Sequence, residues 1–272
     1  MRTTLQEEDE YRAAQRSFRC IDSLLLPDDL RSRTWHDNVV VINRYNALPF
    51  NAEVCHMLAE QGATPVNTHD QHNYVADFWP YYDDLRRFTF PSWKPALDLI
   101  PDLAEGYVVK GVTNSRKNLW KTHMRAPTKG DLPAVLHNVW NDSLLGQQDI
   151  VVREYVPLRQ LGETITGTPI SEEYRFFLYR GSVLGSGFYW STYSEDISET
   201  TDPRRVPEDF VNAIAERIKD KIPFAVADVA ITTKGNPILV ELNDGQMAGL
   251  SGVDPIWLYI KLRNRLREFY PA

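Results

Sequence analysis

Cysteine is nearly absent: Cys20 and Cys55 are the two in a chain of 272 residues. Two are too few for a disulfide framework or a zinc site, and they fit a reducing, cytoplasmic setting. No apolar run approaches the ~20 residues that span a bilayer. The amino end is acidic (Glu7, Glu8, Asp9, Glu10) where a secretory leader is basic, so secretion and membrane insertion are not expected. Positive charge is also short. A formal net charge of −7 argues against a surface that grips nucleic acid or membrane by charge alone. The GxxxxGK[ST] phosphate loop, internal repeats and low-complexity tracts are all missing. What remains is an ordinary soluble composition, 43% hydrophobic and 25% charged. The length suits two or three packed lobes.

Residues 224–244 are the most informative stretch. A first strand, residues 225–232, is apolar except for Asp228, and a second, residues 238–243, is apolar except for Glu241 and Asn243. Between them lies the turn Thr233-Lys234-Gly235-Asn236, where Gly235 is free to take a positive φ. A turn centred on Lys234-Gly235 pairs Thr233 with Asn236 and so sets Asp228 opposite Glu241. Opposed Cβ atoms lie about 5 Å apart, a distance at which like charges repel. A divalent cation turns that repulsion into a binding site, because hard cations take carboxylate oxygens. Asn243, two residues beyond Glu241, faces the same side and adds an oxygen. If the acids repel in the metal-free protein, replacing either by its amide is expected to leave that form equally stable or slightly more stable.

The rest of the chain reads as follows. Residues 21–26 are apolar and are ended by Pro27; residues 39–42 form a buried strand, and residues 43–49 a polar loop. Asn51 caps a helix to about Gln61, with Gly62 as its stop. That order suggests an α/β lobe with partly parallel pairing. His69, Asp70 and His72 have no third ligand fixed by spacing and read as a polar loop. Residues 74–90 are rich in aromatics and read as packing between lobes, and the prolines of residues 91–101 mark a linker. Residues 106–111 form a strand on which Lys110 shares a face with Val108 and emerges into a cleft. Ser115, Arg116, Lys117 and Lys121 make a basic loop able to cover an anion.

A helix then precedes a strand over residues 150–156, in which Arg153 and Glu154 point to opposite faces. Residues 157–170 form a connection. Strands over residues 173–179 and 182–190 turn at Arg180-Gly181, with Glu173 and Arg175 on one face. Pro207 opens an amphipathic helix marked by Phe210, Ile214 and Ile218, and Asp254 caps a closing helix to about Phe269. Residues 112–121 and 191–205 lack a buried periodicity and are expected to be lids.

A strand ending in lysine, a strand ending in glutamate, a Glu-x-Arg strand, then an aspartate followed at a distance by Glu-x-Asn: this order resembles the ATP-grasp superfamily. It is most similar to the small stand-alone members found in bacteria and their phages. The likeness covers roughly residues 92–252. It implies an α/β (α+β) fold in which two α+β lobes, about residues 92–155 and 156–272, grip a nucleotide after an α/β domain over residues 1–91. It further implies that Lys110 contacts the α- and β-phosphates of ATP and that Glu154 accepts from the adenine amino group. The backbone at Tyr155 and Val156 would meet the ring edge, and Glu173 the ribose hydroxyls. Lys117 would help cover the phosphates, Arg175 would reach towards phosphate, and Asp228, Glu241 and Asn243 would hold Mg2+. Phosphoryl transfer needs such a set because it is mostly positioning and charge neutralisation.

Two features depart from the pattern. The family's glycine-rich loop is replaced by Val112-Thr113-Asn114-Ser115-Arg116-Lys117, and no further lysine occurs between Asn67 and Trp93, where Arg86 or Arg87 is the available substitute. The activity implied is a cytoplasmic ATP- and Mg-dependent ligase that joins a carboxylate to an amine through an acyl phosphate. Its substrates would be small molecules, peptides or proteins. A kinase on the same scaffold and an inactive nucleotide-binding protein are the alternatives, and a nucleotidyltransferase lacks its usual Lys-x-Asp-Gly setting. Substrate contacts are expected from residues 43–49, 74–90 and the loop after Asn243.

Overall fold

A computed structural model describes residues 5–19, 39–44, 50–164, 167–193, 197 and 201–270. Cys20, the apolar piece 21–26, most of the loop 43–49 and residues 194–196 and 198–200 of the expected lid lie outside this range. No described helix is long and apolar enough to cross a membrane.

The amino-terminal part contains α1 (Leu5–Gln15), β1 (Val40–Val41), α2 (Asn51–Glu60), β2 (Thr64–Pro65), α3 (His69–Ala76) and α4 (Phe78–Leu85). Strands β1 and β2 pair in parallel, as the strand-loop-helix order suggested. Gly62, at φ 78°, stops α2 as expected. Asn51 does not cap that helix: Phe50 holds the cap position with no side-chain bond, and the buried Asn51 amide turns to the His69 ring at 3.4 Å. His69, Asp70 and His72 lie on a helix rather than a loop. Thr68 and Gln71 form a reciprocal capping box that starts α3 just before them. The aromatics of α4 do pack, with Phe78 and Tyr81 buried in the large core and Phe78 stacked on Tyr82 at 5.1 Å.

A four-stranded antiparallel sheet of order β3-β6-β4-β5 comes next, from β3 (Ser92–Trp93), β4 (Tyr107–Gly111), β5 (Arg125–Ala126) and β6 (Ile150–Glu154). The proline-rich stretch thus contributes an edge strand as well as a connection. Helix α5 (Leu132–Trp140) buries Leu132, Val135, Leu136 and Val139, one stripe at helical spacing, against Tyr107, Val109, Ile150 and Val152. Alternation along β4 and β6 leaves Val108, Lys110 and Arg153 for the opposite face.

The large lobe carries β7 (Gln160–Glu163), β8 (Pro169–Ser171), β9 (Glu173–Tyr179), β10 (Ser182–Phe188), α6 (Glu208–Ile218), β11 (Phe224–Ile231), β12 (Pro237–Asp244) and α7 (Pro255–Phe269). Residues 157–170 are more than a connection, since β7 and β8 pair there. The main sheet runs β10-β9-β11-β12, all antiparallel. Arg180 and Gly181 both take positive φ, 42° and 80°, which matches the twist of a tight hairpin. One sheet face packs on Val211, Ile214, Ala215 and Ile218 of α6. The far half of the other face packs on Leu258, Tyr259, Leu262 and Leu266 of α7, which Asp254 caps through Ile256 N and Trp257 N. Each such aliphatic side chain contributes about 1.5–3 kcal/mol of burial. The near half of that second face is left for polar side chains.

The hairpin register holds one surprise. Asp228 does face Glu241, but the pairing nearer the turn is Val229 with Leu239 and Ile231 with Pro237. Thr232, not Thr233, pairs across to Asn236 through its N–H at 2.9 Å. One extra residue, Val240, makes up the difference as a bulge. It turns Leu239 to the core while Val240 and Glu241 both open on the cleft between the lobes.

Candidate functional site

The two sheets enclose a cavity to which each lobe contributes. The smaller sheet and its crossover supply Val108, Lys110, Lys117, Glu154, Tyr155 and Val156; the larger supplies Glu173, Trp190, Val240 and Glu241. Seven of the residues expected at the site therefore come together: Lys110, Lys117, Glu154, Tyr155, Val156, Glu173 and Glu241. Arg175, Asp228 and Asn243 are not in the cavity wall and stand behind Glu241 on the same sheet face. Arg86 and Arg87, the expected substitutes for a second lysine, are exposed and outside it.

The sheet register lines up Gly187, Arg175, Asp228 and Glu241 across four strands. Arg175 donates from Nε to Asp228 Oδ1 and from Nη2 to Oδ2, both at 2.8 Å, and from Nη1 to the Gly249 carbonyl at 2.7 Å. Burial opposes the guanidinium charge, but Asp228 holds it above its ordinary range. Asn243 Nδ2 donates to Asp228 Oδ2 at 3.3 Å. Lys110 Nζ, arriving from the other lobe, donates to Glu241 Oε1. Burial opposes ionisation of Glu241, yet Lys110 and Lys117 bring its carboxyl down to about 2. The two acids were expected to repel one another without metal. Instead each has its own cation, so their amides are now expected to destabilise the metal-free protein.

Glu173 is 3% exposed, and its Oε2 accepts from Ser171 Oγ at 3.1 Å and Trp190 Nε1 at 3.2 Å. Its Oε1 is buried with no partner among the described residues. Burial, then the nearby Asp228 charge, pushes this carboxyl up against the pull of Lys117. Lys117 Nζ donates to the Tyr189 hydroxyl at 2.9 Å and lies 4.5 Å and 5.1 Å from the ring centroids of Tyr189 and Trp190. Burial would lower this ammonium, but Tyr189, Glu173 and Glu241 hold it above its ordinary value. The Tyr155 ring is turned to the Arg125 guanidinium, 3.9 Å away, and its backbone N–H bonds to Gly106 O at 2.9 Å.

Sequence reasoning missed Arg153 as a bridge. It is buried, donates to Val240 O at 2.8 Å and to Thr89 Oγ1 at 2.6 Å, and lies over the rings of Phe90 and Phe78. The bulged carbonyl of Val240 is what it caps, and no local signal marks that bulge. Also missed was the buried contact of His72 Nδ1 with Asp244 Oδ2 at 3.1 Å, which Asn67 supports by donating to Asp244 Oδ1 at 2.8 Å. It commits His72 to packing. Among the described residues no group of three or more His, Cys, Asp or Glu gathers as a metal cluster.

The residues fit a nucleotide with its metal. The wall combines apolar Val108, Met124, Val156 and Leu158 with the cations Lys110 and Lys117. The orphaned Glu173 Oε1 is an acceptor that awaits a donor such as a hydroxyl. Asp228, Glu241 and Asn243 make a hard, all-oxygen donor set. Asp228 Oδ1 accepts one bond, from Arg175 Nε, and keeps a second lone pair, whereas Oδ2 already accepts from both Arg175 and Asn243.

Among curated proteins no sequence matches this chain. Similarity to solved structures is at the level of fold. The RimK domain protein ATP-grasp from Sphaerobacter thermophilus DSM 20745 is 17% identical, with a TM-score of 0.56, over 97% of this chain and 95% of that one. The D-cycloserine synthetase DcsG is 13% identical, with a TM-score of 0.58, over 95% and 94%. The D-alanine-D-alanine ligase from Coxiella burnetii is 13% identical, with a TM-score of 0.50, over 87% and 72%. The sequence itself matches the family described as ATP-grasp domain, R2K clade family 3, over residues 60–261. With two lobes closing on one cavity and acids opposed on the β11–β12 hairpin, the fold is that of ATP-grasp proteins, and the chain belongs to this family.

Proposed function

We propose that the protein is an ATP- and Mg-dependent ligase joining a carboxylate to an amine. One observation carries this reading: Asp228 and Glu241 face each other across the hairpin while Lys110 reaches Glu241 from the opposite lobe. In this reading residues 92–155 are the small gripping lobe, residues 156–272 the large one, and residues 1–91 a preceding α/β domain. Lys110 and Lys117 neutralise phosphate oxygens. Glu154 and the backbone of Tyr155 and Val156 hold the adenine, and Glu173 Oε1 takes the ribose hydroxyl. Asp228, Glu241 and Asn243 would hold magnesium, which would supply charge neutralisation for the phosphates. Arg175 aligns Asp228 through two parallel bonds, so its part in catalysis is exerted through that carboxylate. A substrate carboxylate oxygen attacks the γ-phosphorus, forming an acyl phosphate as ADP leaves; an amine then attacks the acyl carbon, and phosphate leaves with the proton that the amine gives up. Positioning and charge neutralisation are the protein's main contributions to such a transfer.

The D-cycloserine synthetase and the D-alanine-D-alanine ligase of the same fold support the class of reaction, and pooled amino acids and short peptides are therefore the first substrates to test. The test measures ATP consumption against those pools in the presence of hydroxylamine. A hydroxamate, formed by trapping the acyl phosphate, is the expected product. A phosphorylated alcohol would reassign the protein as a kinase, and Mg-ATP binding without turnover would reassign it as a nucleotide-binding protein.

A further inference from the structure

Tyr189 has no role in the reading above, yet it joins the two charged halves of the site. Its backbone N–H donates to the Glu173 carbonyl at 2.9 Å, which fixes it at the end of β10 beside that acid. The Trp190 ring meets it at 5.2 Å and 75°, a wedge that restricts its rotation. Over the face of this one ring lie two cations, Lys117 Nζ at 4.5 Å from the small lobe and Arg175 Cζ at 4.8 Å from the large lobe. Lys117 also donates to the phenol oxygen at 2.9 Å. Burial pushes the Tyr189 phenol up, so it stays neutral and serves as acceptor for the ammonium.

Two like charges drawn to one ring need a reason, because in water they would separate. Their surroundings supply part of it: Asp228 balances Arg175, while Lys117 lies within the influence of Glu173 and Glu241. The ring quadrupole supplies the rest. A polyphosphate is bound best by charges already fixed before it arrives, since none must then be reorganised at the moment of reaction. Lys117 sits on a long, flexible stem in a segment of short irregular turns, so it is the cation in most need of fixing.

We propose, resting on the nucleotide reading above, that Tyr189 is a positioning residue that holds Lys117 where the nucleotide phosphates bind, with Arg175 bracing its ring from the large lobe. The role acts on phosphate and leaves base and ribose alone, which makes it separable from simple structural support.

The test is a titration calorimetry series with Mg-ATP and, separately, AMP, on wild type, Tyr189→Phe, Tyr189→Leu, Lys117→Met and the double variant Lys117→Met/Tyr189→Phe. AMP, which keeps the α-phosphate and lacks the β- and γ-phosphates, is expected to lose far less affinity than ATP in the two Tyr189 variants. ATP affinity is expected to fall about threefold in Tyr189→Phe, which keeps the ring and loses the hydroxyl, and about tenfold or more in Tyr189→Leu. In the Lys117→Met background the Phe substitution is expected to change nothing, because the hydroxyl has lost its partner. Parallel losses of ATP and AMP affinity, an unchanged ATP affinity in Tyr189→Leu, or additive effects in the double variant would each overturn the proposal. Should Tyr189→Leu not fold, the near-isosteric Phe cycle decides. A wild type that binds ATP with an additive cycle rejects this role alone; a wild type that binds neither nucleotide rejects the nucleotide reading with it.

Discussion

Two ion pairs stand side by side on the same sheet row, and they are built differently. Arg175 and Asp228 come from neighbouring strands of one lobe, bond through two parallel N–H···O contacts, and have side chains 10% and 1% exposed. Lys110 and Glu241 come from opposite lobes, share one contact, and are 7% and 26% exposed. The first pair cannot part unless the β9–β11 ladder breaks. The second parts whenever the lobes separate. A carboxylate at this site is thus either presented by the scaffold or released by motion. Asp228 is bonded within one lobe, whereas Glu241 is bonded across the cleft to Lys110. On the proposed reading, metal and nucleotide together would satisfy both partners at once, Glu241 with the ion and Lys110 with phosphate.

That comparison breaks most readily at Asp228. Asp228→Asn leaves the buried Arg175 without its counter-charge, and removing one partner of a buried pair costs about 3–5 kcal/mol. Urea unfolding of the metal-free variant is expected to show a loss of that size. A change under about 1 kcal/mol would mean that Arg175 finds other acceptors and that the pair is no scaffold. Glu241→Gln is expected to cost less, about 1–3 kcal/mol, the scale of one hydrogen bond to a charged group at a partly open position. Equal losses in the two variants would erase the distinction. Mg-ATP turnover is expected to vanish in both, since neither amide replaces the lost charge.

The legible part of this site was the part written within one strand or one hairpin. Lys110 and Val108 share a face because alternation is local, and the opposition of Asp228 and Glu241 was legible in the hairpin, although the chain reaches it through a different turn pairing and the Val240 bulge. Asp254 and Gly181 were readable for the same reason. What was not legible depends on chain segments far apart. Nothing near Val240 announces a bulge, and its carbonyl is capped by Arg153, 87 positions away. The salt bridges on Asp228 and Glu241 span 53 and 131 positions, so a sequence reading saw two acids in repulsion and missed the two cations. Tyr189 lay hidden because an aromatic at the end of a strand looks like packing until its cations are placed. The acids are the easier half of such a site to read, since they interrupt apolar strands; their partners arrive only with the fold.

The smallest expected effect is the one that acid exposes in the Lys110–Glu241 pair. The Glu241 carboxyl lies at about 2 in the folded protein against an ordinary 4.5. A depressed value means that the folded state holds the proton less tightly than the unfolded chain. Above about pH 4.5 both states are ionised and the full contribution of the pair is present. As pH falls below that, the unfolded chain takes up a proton that the folded protein refuses, and stability declines until about pH 2, where the contribution is gone. Asp142 behaves in the same way, held at about 2 chiefly by its hydrogen bond from Arg116, so the acid limb of the wild type is not due to Glu241 alone. The difference between wild type and Glu241→Gln removes that background, because Asp142 is unchanged in both. Unfolding midpoints in urea at pH 7, 5, 4 and 3 are expected to show wild type ahead at pH 7 and 5, with the gap narrowing at pH 4 and again at pH 3. Burial pulls the Lys110 ammonium below its ordinary value while Glu241 opposes that pull, and the falling pH of the series favours its charged form. A gap that stays constant across the series would show that Lys110 does not hold Glu241 ionised, and the pair would then be a contact of the closed lobes without electrostatic weight.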